Sequence, residues 1–196
     1  PRLEVLDWRL TTIDVDTTYQ PSTYALAVSQ FVDALPLDPG VATCLVERQR
    51  FRTSGMRVIP EPVLRANVIE ALLHALVIKR GLTVESVYAV RVARHFPQAF
   101  DREDLEDATD DAKNKAKKKK ASQKPRKPKE KKNHAVVLVK ALLSRTDLLT
   151  CPSRLRDHYA ACKKKDDLSD CLLQAIAWLE WRLFALNQAK RLHDQL

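Results

Sequence analysis

Between Lys113 and Lys132 the chain carries twelve lysines or arginines against one acid, Glu130, and a stretch of that composition cannot enter a hydrophobic core. An acidic block precedes it, Asp101 to Asp111, with seven carboxylates against Arg102. Blocks of opposite sign, low hydrophobicity and two prolines predict a disordered insertion at about 101–133, so the fold must be assembled from the residues on either side of it. The same block locates the charge. The formal net charge is +9, yet the residues outside Lys113–Lys132 hold 22 basic and 24 acidic groups, so the body is nearly neutral. The insertion therefore reads either as a solvated loop or as an electrostatic tether to a polyanion, adding affinity without specificity and strongly sensitive to salt.

At 196 residues the chain is long enough to bury one full core, and a single domain spanning 1–196 is expected. Leu3 to Leu10, with alternating Leu3 and Val5, reads as a strand, and the segment up to Asp16 as an extended pair or hairpin at a sheet edge. An amphipathic helix is predicted over about Ser22 to Leu35, with Ser22 as its cap and Tyr24, Ala27, Val28, Phe31 and Leu35 on one face. Val41 to Val46 is short, apolar and preceded by Pro36, Pro39 and Gly40, the pattern of a buried strand. A helix follows from about Pro62 to Lys79, apolar round most of its circumference and stopped by Gly81, which implies burial on more than one side. Thr83 to Val92 reads as a further strand. Beyond the insertion come a helix from His134 to Leu143, a break at Pro152, a basic segment through Arg154 and Arg156 to Lys165, and a final helix from Asp167 to about Leu192. Strands alternating with helices give an α/β domain with a mixed sheet.

Two acidic features stand out. Asp166, Asp167 and Asp170 crowd about one turn at the start of the last helix, where like charges repel by a few tenths of a kcal/mol per pair unless a cation relieves them. The plainer reading is acidic capping of a helix N-terminus. Glu47, at the carboxyl end of the Val41–Val46 strand, is followed by Arg48, Gln49, Arg50 and Arg52. Functional groups gather at the carboxyl ends of strands in open α/β sheets. A carboxylate for a metal beside guanidinium groups for phosphates is the equipment of a phosphodiester-cleaving site. The alternative for any one arginine is a salt bridge toward Glu61 and Glu70.

Leu45 to Arg52, the Tyr19-x-Pro21-x-x-Tyr24-Ala25 segment, the run Leu64 to Ala75 and the run Lys164 to Gln174 together resemble the fungal mitochondrial Holliday-junction resolvases, in order and spacing over nearly the whole chain. The resemblance implies a ribonuclease H-like mixed sheet flanked by helices, related to the bacterial RuvC resolvases. It also implies a homodimer that uses four acids and magnesium to nick four-way DNA junctions symmetrically, in mitochondria. Members of the family open on a strand carrying an Asp followed by Gly. Here Pro1 falls on what reads as the second strand, so that first strand and its acid, like any targeting segment, are expected outside the given chain, and three acids of four are visible.

The expected ligands of Mg2+, with Mn2+ as a substitute, are Glu47, Asp170 and, three positions before it as in the bacterial pattern, Asp167, with Asp166 the other choice or a helix cap. Arg48, Gln49, Arg50, Arg52, Lys163, Lys164 and Lys165 are expected to hold DNA phosphates. Tyr19 and Tyr24 are weighed as base-stacking rings, with core packing favoured for Tyr24. His74 reads as a satisfied or interface histidine, and His158 as a neighbour of the acids. The cysteines at 44, 151, 162 and 171 include no C-x-x-C pair, which argues against zinc, and Cys44 and Cys171 read as packed thiols. No apolar run is long enough for a membrane helix, and no small-molecule cofactor is indicated. Two other functions compete with the resolvase. One is a catalytically incomplete junction-binding or scaffold protein of the same fold, and the other a nuclease of that fold acting on RNA–DNA hybrids.

Overall fold

The computed structural model describes residues 3–15, 19–36, 40, 43–49, 59–96 and 133–194. The charged insertion, apart from its last residue, and Arg50 and Arg52 lie outside them. The described elements are β1 (Leu3–Glu4), α1 (Pro21–Asp33), β2 (Thr43–Glu47), α2 (Glu61–Lys79), β3 (Thr83–Val87), α3 (Ala89–His95), α4 (Asn133–Ser144), β4 (Leu149–Thr150), α5 (Ser153–Ala161) and α6 (Asp166–His193). The chain divides into two compact units, Thr11–Ala89 and Pro1–Leu10 together with Val90–Leu196.

The Thr11–Ala89 unit is a parallel β2–α2–β3 element with α1 against α2. Parallel neighbours need a crossover, and α2 is that crossover. The register runs from Thr43 opposite Thr83 to Glu47 opposite Val87, and the Arg48 N–H extends it by donating to the Val87 carbonyl at 2.8 Å. Pro21 starts α1 at a position where a missing N–H costs nothing, so Ser22 lies inside the helix and Gln20, with no side-chain bond, occupies the cap. Tyr24, Val28 and Val32, spaced by four, are its buried stripe. Phe31, Ala27 and Leu35 are only half-buried. Gly81 ends the turn after α2 at φ 76°, the left-handed conformation that favours glycine, and the Leu82 N–H returns to the Val77 carbonyl.

In the other unit β1 pairs in parallel with β4, Leu3 opposite Leu149 and Glu4 opposite Thr150, and the Val5 N–H closes the ladder on the Thr150 carbonyl at 2.8 Å. The predicted strand to Leu10 and its hairpin are thus replaced by a two-residue strand with a distant partner. Trp8 and Val5 are buried, whereas Leu6 is 72% and Leu10 52% exposed, so the segment beyond Glu4 docks through single side chains. α4 packs along α6, and Val139, Leu149, Leu155, Tyr159, Leu172, Leu173 and Ile176 form the centre of this core.

Three further expectations are corrected. The strand predicted over Thr83–Val92 ends at Val87; Val90 to His95 turn into α3, whose Val92 and Ala93 face the core. The basic segment after Pro152 is α5, held by Leu155 and Tyr159 four apart. Cys171 is exposed and Cys44 half-buried, while Cys151 is buried; burial pushes up the pKa of all three, and all four are free. The architecture is mixed α/β, with two two-stranded parallel sheets among the described residues in place of one mixed sheet. Among the same residues no helix is long and apolar enough to cross a membrane.

Candidate nucleic-acid processing site

Glu47 is the last residue of β2 and is exposed. The backbone beyond it is held on two sides. β3 takes the Arg48 N–H, and Glu70 of α2, its side chain 11% exposed, accepts the Gln49 N–H at 2.9 Å. A carboxylate so nearly buried needs charged or N–H partners, and the Arg48 guanidinium supplies one at 4.0 Å while also lying 5.9 Å from the centre of the Tyr88 ring. Arg48, expected at a phosphate, is therefore engaged by one of the two glutamates that the sequence offered as its alternative partners. Glu61, the other, pairs with Arg65.

The aspartates sit where α5 hands over to α6. Trp8 stacks on Tyr159 with ring centres 4.6 Å apart and 12° between planes, and its indole N–H donates to the Leu168 carbonyl at 3.0 Å. The Ser169 hydroxyl donates to the Lys165 carbonyl at 2.7 Å, which uses its one proton. Tyr159 must then be the donor across the 2.9 Å contact to Ser169. This directed chain, Tyr159 to Ser169 to Lys165, is fully buried at Ser169 and fixes the first turn of α6. Lys165 holds the cap position in a helical conformation with no side-chain cap bond of its own, and Asp166 is the first residue inside the helix.

Asp166 and Asp170, four positions apart, share a face and are both half-buried. Asp167 is exposed and turned to Lys164, which donates to it at 2.6 Å; that hydrogen bond, with the charge of Asp167, raises the lysine pKa. Lys165 donates to the Cys162 carbonyl and lies 6.0 Å from the centre of the Tyr159 ring, so it serves the junction itself, and Lys163 is exposed. His158 contacts the Cys162 sulfur at 3.6 Å, and His74 contacts the Ser86 hydroxyl at 3.3 Å. Tyr24 is buried against Tyr19, ring centres 5.1 Å apart, which assigns it to packing.

Glu47 belongs to the Thr11–Ala89 unit and the three aspartates to the other. Among the described residues no group of three or more His, Cys, Asp or Glu side chains is placed to hold a metal ion. The Asp166–Asp170 pair still offers hard oxygen donors, and magnesium is commonly held by one or two carboxylates with waters and substrate phosphates completing its shell. Sequence reasoning named Glu70 as an arginine partner but missed its hold on the Gln49 N–H, and it missed the Trp8–Tyr159–Ser169 chain. Ser169 had a signal: it falls on the buried stripe of α6 with Leu172, Leu173 and Ile176, where a hydroxyl needs a partner.

The parallel β2–α2–β3 element in one unit and, in the other, a helix opening on three aspartates make this a mixed α/β protein. Residues 8–185 match the family described as mitochondrial resolvase Ydc2 / RNA splicing MRS1, and the chain belongs to that family. No curated protein and no solved structure matches it.

Proposed function

We propose that the chain is a structure-selective endonuclease that resolves four-way DNA junctions by paired, magnesium-dependent hydrolysis, on a ribonuclease H-like fold. The observation that carries this reading is the family match over 8–185, within which the half-buried Asp166–Asp170 pair opens α6. Glu47, Asp170 and one of Asp166 and Asp167 are the residues that would hold Mg2+, and the burial pattern favours Asp166. Bound there, the metal would activate water and stabilise the leaving oxygen. The chain's own part is positioning. Glu70 anchors the exit of β2, the Tyr159–Ser169 chain anchors the start of α6, and Arg50, Arg52 and Lys163 are proposed to hold phosphates.

Paired nicking calls for two sites related by a two-fold axis, and α2 is the proposed dimer face. Of its 19 residues only Val77 is buried, while Leu64 is 42% and Ile78 60% exposed, leaving apolar surface that a second copy would cover. The family name supports mitochondrial residence.

A second reading is favoured by one observation. The family description includes RNA splicing as well as resolution. A member of this kind would bind structured nucleic acid without cutting it. Incubating the full chain with a labelled four-way junction, an RNA–DNA hybrid and a linear duplex, with magnesium or with chelator, separates the readings. Magnesium-dependent symmetric nicks in the junction alone are expected. Binding without nicks would favour the splicing-type reading, and cutting of the hybrid in preference would replace both.

A further inference from the structure

α6 carries a second surface, distinct from its acidic start. Asp170, Gln174, Trp178 and Trp181 follow one another at spacings of four and three, and Arg182 lies four beyond Trp178, so a single face runs from the acids to two indoles. At 1.5 Å per residue the face is about 16 Å long between Asp170 and Trp181. The core stripe of the helix is elsewhere, at Leu168, Leu172, Leu173, Ile176 and Ala177. Trp178 and Trp181 are only half-buried, and each indole has an exposed arginine over it: Arg182 at 5.6 Å from Trp178 and Arg91 at 5.3 Å from Trp181.

The orientation of Trp181 is fixed. Its indole N–H donates to His95 Nδ1 at 3.3 Å, so the other ring nitrogen carries the proton and donates to Glu180 at 2.6 Å. Glu180 is thereby hydrogen-bonded to His95, and Arg91 and Arg182 outnumber it beside the two indoles. An exposed guanidinium over each indole suits a nucleotide whose base takes the ring face as the arginine turns to its phosphate. A purely apolar partner would leave both guanidinium groups desolvated without a counter-charge.

We propose that Trp178 and Trp181 form a stacking platform for unpaired bases, with Arg182 and Arg91 binding the adjoining phosphates, for a single-stranded stretch that runs beside α6 downstream of its acidic start. The ligand is single-stranded nucleic acid, and the platform deepens the reading of this chain as a nuclease of branched DNA, on which it rests.

Tryptophan emission tests it directly. The chain has three tryptophans, and Trp8 is 5% exposed, so bases can reach the indoles at 178 and 181. The probe is single-stranded oligothymidylate, with a blunt duplex as comparison. In the full chain carrying Trp8→Phe, oligothymidylate is expected to quench emission far more than duplex does. Trp178→Ala and Trp181→Ala should each weaken oligothymidylate binding about tenfold, and Trp178→Phe or Trp181→Phe should restore most of it, because a smaller aromatic ring still stacks. Absence of quenching in the Trp8→Phe chain overturns the platform even if an alanine variant fails to fold. Loss of self-association in the alanine variants, with oligothymidylate affinity unchanged, would show the face to be a protein interface instead. Junction nicking by the unsubstituted chain without quenching in the Trp8→Phe chain sinks the platform alone, whereas quenching with no nicking by the unsubstituted chain sinks the nuclease reading and leaves the platform standing.

Discussion

The indole N–H of Trp8 donates to the carbonyl of Leu168 at 3.0 Å, tying the first described residues to the first turn of the last helix across 160 positions of sequence. Both residues are buried, so neither the bond nor the Trp8–Tyr159 stack has water as a substitute partner. Trp8→Phe keeps a ring for the stack but removes the buried indole hydrogen bond, a second one to a carbonyl that already accepts within α6, at a cost of about 1 kcal/mol. Trp8→Ala also opens a cavity and should cost about 3–5 kcal/mol. Urea unfolding midpoints at constant m-value measure both, and equal midpoints for the two variants would show that packing at this site contributes little.

Alkali should attack the same junction. Burial pushes the Tyr159 phenol above its ordinary value of 10.0. A raised folded-state pKa contributes stability that is fully present below the unfolded value and lost as pH rises through the folded one. Ionised Tyr159 can no longer donate to Ser169, whose own proton is committed to Lys165. Stability should therefore hold up to about pH 10 and fall above it, and Tyr159→Phe, less stable at neutral pH, should lack that part of the alkaline loss. Parallel unfolding curves for the two proteins between pH 8 and 11 would contradict this, a range chosen from about two units below to one above the reference phenol.

Among the acids, the three aspartates should separate. Asp170→Asn and Asp166→Asn are expected to lower junction nicking at least about a hundredfold with binding retained, since an anionic ligand is lost while the basic surface is untouched. Asp167→Asn, which only releases Lys164, should change it less than about fivefold. Strong loss at Asp167 with a silent Asp166 would restore the three-residue spacing that the sequence favoured.

Glu70 acts through the backbone. Glu70→Gln can still accept the Gln49 N–H but gives up its charge toward Arg48, so a loss of about 1–2 kcal/mol is expected, together with a fall in kcat for nicking and little change in KM. A rise in KM with kcat intact would mean that Glu70 instead controls Arg48 as a phosphate contact.

Much of this architecture was legible because it is periodic. α2 and α6 were placed within a residue or two at each end by their apolar runs, by Gly81 and by the aspartates, and β2 by its Pro- and Gly-marked approach. The misses have physical causes. β1 and β4 are two residues each and pair across most of the chain, a relation that no local pattern encodes. Valines recur on both sides of Ala89, at 84 and 87 and at 90 and 92, so the change from strand to helix there left no mark in residue type. α5 offers only Leu155 and Tyr159 as an apolar signal among charges. At the site, the acids could be read from residue type, but Glu70 could not: nothing in its sequence neighbourhood distinguishes a carboxylate that accepts a backbone N–H from one in a solvated helix face.

The pairing of β1 with β4 also sets an order of events during synthesis. On a ribosome the β2–α2–β3 element emerges whole and has its parallel partner at hand, whereas Leu3 and Trp8 must wait for Leu149 and Leu168 to be translated. At about 5–20 residues per second that wait lasts on the order of ten seconds or more, so a stretch made early is among the last to find its place.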